Sequence, residues 1–253
     1  MSKYLSISVI FLLMAVISPA IQWVAAENTQ SAPDISAVWM AFASNPPGRL
    51  GAEQSRLSPA GEALVSRFEE TYGQEHPDPG AFCVPQGMPS VMLALVTYPI
   101  EIIQHPDRVT MLAEMEMQVR RIYLDGRGHP EDYPHTRIGH SIGHWEGDTL
   151  IINTALLQGW ETRNWPHTEN ARIQERIHLT TRDKIPVQPS PFIIQKPLDD
   201  QVMVVELTLT DPEVYVEPVT ITMYYQKISD DNILEYDCPV GLWLDALEAH
   251  SKE

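Results

Sequence analysis

Residues 139–154 read GHSIGHWEGDTLIINT, and this stretch is the clearest indication of the fold. Two runs suited to β-strands, 139–145 and 149–154, flank the tripeptide EGD. A short glycine-containing turn between two such runs predicts an antiparallel β-hairpin. The segments on either side of this hairpin indicate the rest of the fold.

Alternation of apolar and polar residues recurs on both sides of this hairpin. It runs from Val109 to Met117 and again over 171–180, 203–210 and 219–226, with a shorter β-rich run at 98–104. A period of two is typical of strands with one buried face. About eight strands joined by short turns predict an antiparallel, calycin-like β-barrel, with an open β-sandwich as the alternative.

One helix is predicted in the N-terminal part of the mature chain. Ser58 suits an N-cap and Pro59 suits the first helical position, which gives a helical lead-in at about 58–73. Residues 27–57 are expected to be irregular. Because no internal repeat is present, residues 27–253 are expected to form a single β-rich domain.

The first 26 residues have the pattern of a secretory signal peptide. Lys3 is the only charged residue before Glu27, and the apolar run 5–17 is short for a spanning helix. The sequence VAA, ending at Ala26, fits the cleavage rule. We therefore expect a periplasmic or secreted protein without an integral membrane segment after cleavage. An uncleaved anchor helix is the alternative.

The net negative charge of the chain makes nucleic acid an unfavourable partner. Loss of Lys3 with the signal peptide changes the formal charge from −17 to −18. Such a surface repels phosphate backbones and anionic lipids, so we expect no nucleic-acid binding. The same charge is also compatible with plain solubility, and the sequence does not indicate an oligomeric state.

Several motifs resemble those of a widespread family of exported bacterial proteins. The two longest are DGRxHP at 125–130 and GHSIGxWEGDTL at 139–150. The likeness covers most of the mature chain and implies a shared fold and a shared site, without a known reaction. Asn153 and Val219 depart from the family pattern, in which Asp and Trp are usual. The shorter shared motifs are CVPQGMP at 83–89, YPIEI at 98–102, PHTE at 166–169, ER at 175–176 and DP at 211–212.

Glu175 is the strongest single candidate for chemistry. Its strand face is otherwise apolar, from Ala171 to Leu179. Burying a lone carboxylate costs several kcal/mol, so such a group is paired or functional. Glu175 is therefore predicted to act as a general acid or base, with a structural ion pair to Arg121 or Arg127 as the alternative.

Three histidines within the shared motifs are further candidates for proton transfer, namely His129, His140 and His167. For His129 the alternative is loop-stabilising hydrogen bonding. His140 and His144 share one strand face but lie about 13 Å apart, too far to bind one metal ion. The histidine spacing therefore predicts no metal, and we expect no cofactor.

The remaining candidates are assigned to substrate binding. Arg127 could hold a carboxylate or enolate oxygen, or could instead pair with Asp125 or Glu146. Ser141 lies in a Gly-x-Ser-x-Gly pattern but in mid-strand, so a serine hydrolase is not expected. For the aromatic residues, packing is the alternative. The candidates for substrate binding are Arg121, Tyr123, Arg127, Trp145 and Tyr215.

Two functions are compatible with this set of residues. In the first, the barrel interior holds a small organic substrate, for example an aromatic or terpenoid compound, for cofactor-free isomerisation, elimination or hydration. Glu175 and one of the histidines would move protons, and Arg127 would stabilise developing negative charge. In the second, the chain is a non-catalytic, lipocalin-like binding protein for an apolar small molecule.

The two cysteines are expected to form a disulfide. Cys83 and Cys238 are the only cysteines, and an isolated pair in an exported chain is most simply oxidised, with two free thiols as the alternative. Alkylation of the denatured, unreduced protein should therefore leave its mass unchanged. Labelling of both thiols would contradict the prediction.

Overall fold

The computed structural model describes residues 32–46, 56–73, 84–93, 98–191 and 195–237, and the single positions 241 and 248. The predicted signal peptide, Cys83 and Cys238 lie outside the described residues. All of the described residues belong to one structural unit, Ala32–Glu253.

Within the described residues, nine strands form a closed barrel in chain order. β9 pairs with β1 and closes the ring. The structure confirms the predicted mainly β, calycin-like barrel. The strands are β1 (Ala37–Asn45), β2 (Ile100–His105), β3 (Arg108–Ala113), β4 (Gln118–Tyr123), β5 (His140–Glu146), β6 (Thr149–Ala155), β7 (Arg172–Thr181), β8 (Gln201–Thr210) and β9 (Val219–Ser229).

One pair of neighbouring strands is parallel. Nine strands in a closed ring cannot alternate in direction at every step, because nine is odd. β4 and β5 are the parallel pair, and they meet only through Ile122 with Ser141 and Tyr123 with Ile142. A parallel connection requires a long crossover, and here residues 124–139 provide it.

Apolar side chains line most of the barrel interior. Ile173 and Ile177 of β7 pack with Leu150 and Ile152 of β6 in one core cluster. Burial of each such side chain contributes about 1.5–3 kcal/mol. A short helix, α2 (Ser90–Leu93), packs into the same core.

The expectation that residues 27–57 are irregular is wrong for β1. All of its residues except the last are buried, so the strand lacks the alternation that marks a half-exposed strand. Phe42 packs with Ile185 and Val187, and its carbonyl accepts a hydrogen bond from Ser190 N at 2.8 Å. A segment distant in sequence therefore covers the outer side of β1.

β3 is shorter than the alternation predicts. The pattern continues to Met117, but the strand ends at Ala113 and Met115–Met117 form a 3₁₀ turn. Glu116 and Met117 have φ values of 60° and 49°, which a strand does not contain. The turn reverses the chain so that Ala113 pairs with Gln118 of β4.

The predicted helix is confirmed as α1 (Pro59–Tyr72). Ser58 is its N-cap, and the Ser58 hydroxyl accepts a hydrogen bond from Gly61 N at 3.2 Å. The helix start is fixed to the rest of the fold because Ser58 N donates to Val214 O at 2.8 Å. None of the described helices has the length and apolar character needed to cross a membrane.

Two glycines, Gly87 and Gly147, both have positive φ, but only Gly87 is also closely packed. Comparing alanine substitutions at the two positions therefore distinguishes the cost of backbone strain from the cost of close packing. Gly87 has φ +69°, and an added Cβ would lie 2.3 Å from the carbonyl oxygen of Arg137. Gly147, in the β5–β6 turn, has φ +63° and nothing within 4 Å of such a Cβ. Gly147→Ala should therefore lower the free energy of unfolding by about 1–2 kcal/mol, the strain of a left-handed residue.

Gly87→Ala should lower that free energy clearly more, since the backbone of Arg137 must also move. Urea unfolding of both variants checks the difference. Equal losses would show that residues 84–93 are not held against Arg137 as described.

Candidate functional site

The predicted proton-transfer residues lie in three different parts of the fold. Glu175 faces the barrel interior on β7. His140 lies at the start of β5 on the outer face of the wall, and His129 reaches it from the crossover. His167 lies in the connection between β6 and β7.

Glu175 forms a buried ion pair with Arg120. Arg120 Nη1 donates to Glu175 Oε1 at 3.0 Å, and Nη2 donates to Oε2. Arg120 also donates to Ser141 Oγ at 3.1 Å and to Thr154 Oγ1 at 2.8 Å, and the two hydroxyls lie 2.9 Å apart. The Arg120 side chain is 2% exposed and the Glu175 side chain is 0% exposed. One polar network therefore joins β4, β5, β6 and β7 inside the barrel.

The partner of Glu175 is neither of the arginines that the sequence suggested. Arg121 is exposed on the outer face of β4, whereas the adjacent Arg120 faces inward. Arg127 pairs with Asp125 instead, with Nε 2.8 Å from Oδ1. Both oxygens of Glu175 are engaged by Arg120 as a structural pair, and its role as a general acid or base stays a prediction.

His129 and His140 form a hydrogen-bonded pair. Their Nδ1 atoms lie 2.9 Å apart, and their rings are at 75° to each other. Because a hydrogen bond needs one donor and one acceptor, a single proton lies between the two Nδ1 atoms. Among the residues that the structure describes, no hydrogen-bond partner contacts the Nε2 atom of either ring.

Aromatic side chains surround this pair. Tyr123 stacks on His140 with ring centroids 5.3 Å apart, and Tyr133 contacts it edge-on at 5.1 Å. The guanidinium of Arg127 lies 4.0 Å above the Tyr123 ring. The parallel β4–β5 pairing puts Tyr123 beside the start of β5, and the crossover returns over this surface with His129 and Tyr133.

Burial keeps both histidines neutral at pH 7. It lowers the pKa of His129, and the charge of Arg172 lowers that pKa further. Burial likewise lowers the pKa of His140, as do His129 and Arg127. His140 is only 4% exposed, whereas His129 is half-buried. His129 is therefore the ring that a small molecule can reach, with His140 behind it.

His167 belongs to a separate, structural cluster. Its Nδ1 donates to the carbonyl of Trp165 at 2.8 Å, and burial lowers its pKa. The carboxylate of Asp211 accepts a hydrogen bond from Thr168 N at 2.6 Å. The Tyr215 hydroxyl donates to the carbonyl of the proline that precedes His167. The PHTE and DP motifs thus fix one loop to another.

Trp145 and His144, on the same strand as His140, lie apart from the histidine pair. Trp145 packs against the barrel core from the inner face of β5. His144 is exposed on the outer face, with Nε2 3.2 Å from Glu146 Oε1. Within the described part of the chain, no group of three or more His, Cys, Asp or Glu residues is arranged to hold a metal ion.

Two important residues were not identified from the sequence. Arg120 shares the inner face of β4 with Gln118 and Ile122, so the strand register would have distinguished it from Arg121. Tyr133 lies in the crossover, where no periodic pattern indicates the direction of a side chain.

No family model matches this chain, and no curated protein matches it. Membership of the family suggested by the DGRxHP and GHSIGxWEGDTL motifs is therefore a proposal.

Replacement of Glu175 by Gln should destabilise the barrel. The amide keeps the volume but leaves Arg120 as an uncompensated buried charge, which costs about 3–5 kcal/mol. Glu206→Gln on the exposed face of β8 is the matched control, with an expected change within about 0.5 kcal/mol. Thermal and urea unfolding measure the stability change in both variants. An unchanged E175Q protein would contradict the ion pair as described.

Proposed function

We propose that this chain is an exported, cofactor-independent enzyme that moves protons on a small organic molecule, with the His129–His140 pair as the proton-transfer group. The observation that carries the proposal is the 2.9 Å contact between the two Nδ1 atoms. The proposed site lies on the outer face of the barrel wall, whereas the sequence suggested the interior. The interior carboxylate is already paired with Arg120.

The shared proton determines what His129 can do. When His129 donates through Nδ1, its Nε2 atom carries a lone pair and can take a proton from a substrate. When it accepts instead, Nε2 carries a hydrogen that can donate a hydrogen bond, and the ring gives up a proton only after it has become an imidazolium. After His129 has taken a proton, the positive charge can be shared with His140 through the Nδ1 hydrogen bond. Isomerisation, elimination and hydration all need such a group.

The neighbouring side chains suit the same chemistry. Arg127 lies over Tyr123, which stacks on His140, so its guanidinium is close to the pair. The Nη1 group of Arg127, which Asp125 does not use, would donate hydrogen bonds to the negative charge that develops when a C–H proton is removed. The exposed ring of Tyr133 provides apolar surface for a planar substrate.

The closed barrel also supports a second function, that of a lipocalin-like binding protein. Its interior is lined by apolar residues that would suit an apolar ligand. This function predicts that an unaltered ligand remains bound through purification from the native host. Mass spectrometry of the extracted protein tests for such a ligand.

Proton exchange provides a test of the enzymatic function that does not require the natural substrate. A library of small carbonyl compounds, each acid paired with its amide, is incubated with the protein in D₂O. ¹H NMR then records the loss of C–H signals. His129→Gln should reduce protein-dependent exchange by about 10²-fold or more, the usual size of a general acid–base contribution. His144→Gln, on the exposed outer face of β5, is the matched control and should have no effect.

The pH dependence supplies a second criterion. The pair acts as a base only while both rings are neutral, and their pKa values lie below the ordinary 6.5. Exchange should therefore persist above pH 6.5 and fall as the pH decreases through the lowered pKa values. Absence of exchange across the library, or exchange that is equal in wild-type and H129Q protein, would contradict the proposal.

A further inference from the structure

A second guanidinium, that of Arg172, lies beside the histidine pair. His140 pairs with Ala155 of β6, and Thr154 pairs with Ile173 of β7. Arg172, which starts β7, is therefore next to Ala155 on the outer face. Two strand spacings separate it from His140, about 10 Å between Cα atoms, which is within reach of an arginine side chain.

The charge of Arg172 is not neutralised by a neighbouring carboxylate. Its Nη1 donates to two backbone carbonyls, those of Asn170 at 3.2 Å and Ala171 at 2.8 Å. Arg172 takes part in none of the ion pairs among the described residues. Arg127, by contrast, is held by Asp125. Arg172 is thus an exposed cation without a carboxylate partner among the described residues, and it lies next to His129.

We infer that the site takes a small organic carboxylate, with Arg172 as the residue that binds its carboxylate group. The inference rests on the proposed function, since it names the substrate class of the same site. A guanidinium binds a carboxylate through two parallel hydrogen bonds, and the Nε and Nη2 groups of Arg172 are not used by the backbone carbonyls.

The charge distribution supports this choice of substrate. The chain without Lys3 carries a formal charge of −18, so its surface as a whole repels anions. An anion is favoured only beside a cation that is not already paired, and Arg172 lies near the neutral histidine pair, whereas Arg127 is paired with Asp125. Because Arg172 lowers the pKa of His129, its charge is felt at the ring that would meet the substrate. A carboxylate bound there would place its neighbouring C–H group close to His129.

Binding of benzoate, with benzamide as its neutral counterpart, tests the inference without requiring turnover. The NMR signals of the His129 ring are followed as each compound is added to wild-type protein and to two variants. Benzoate should bind at least about tenfold more tightly than benzamide, the effect of 1.4 kcal/mol. Arg172→Gln should remove that preference. Arg176→Gln, on the same exposed face of β7, should keep it.

Equal binding of the two compounds, absence of benzoate binding, or unchanged benzoate binding in R172Q would each overturn the inference. The proposed function has a separate readout in the D₂O exchange experiment. Exchange that depends on His129 but occurs equally with acids and amides would support the proposed enzymatic function and overturn the inference that the substrate is a carboxylate. Benzoate binding through Arg172 without exchange in any compound would support the carboxylate site and overturn the proposed enzymatic function.

Discussion

Closure of a ring of nine strands imposes the constraint on which the rest of this structure depends. At least one neighbouring pair must be parallel, and that pair is β4 and β5. Only two residue pairs join these strands, so few backbone hydrogen bonds hold the wall at this position. The chain also needs a crossover between them, and this segment contains the DGRxHP motif. The most distinctive sequence of the protein thus lies where the topology requires a long connection.

Polar side chains strengthen the wall at this junction from both sides. Inside, Arg120 of β4 reaches Ser141 of β5, Thr154 of β6 and Glu175 of β7. Outside, Tyr123 of β4 stacks on His140 of β5, which bonds to His129 of the crossover. A site on a rigid, braced wall keeps its geometry better than a site on a free loop. The inner network and the outer pair therefore brace the same pair of strands from opposite faces of the wall.

Periodicity predicted most of the barrel, because strands with one solvent-facing side alternate. It could not reveal β1, which is buried on both sides once the segment around Ile185 covers it. The sequence also identified Glu175, His129 and His140 as unusual. It could not determine which arginine meets Glu175, since the choice between Arg120 and Arg121 depends on register. Nor could it show that Glu175 and His140 lie on opposite faces of the wall.

The proposed function requires that His129 and His140 are neutral and share one proton between their Nδ1 atoms. ¹⁵N NMR of the histidine side chains at pH 7 tests it most directly. A shared proton gives one protonated and one unprotonated Nδ1, with a scalar coupling between the two nitrogens across the hydrogen bond. Two imidazolium rings, or two neutral rings without such a coupling, would contradict it.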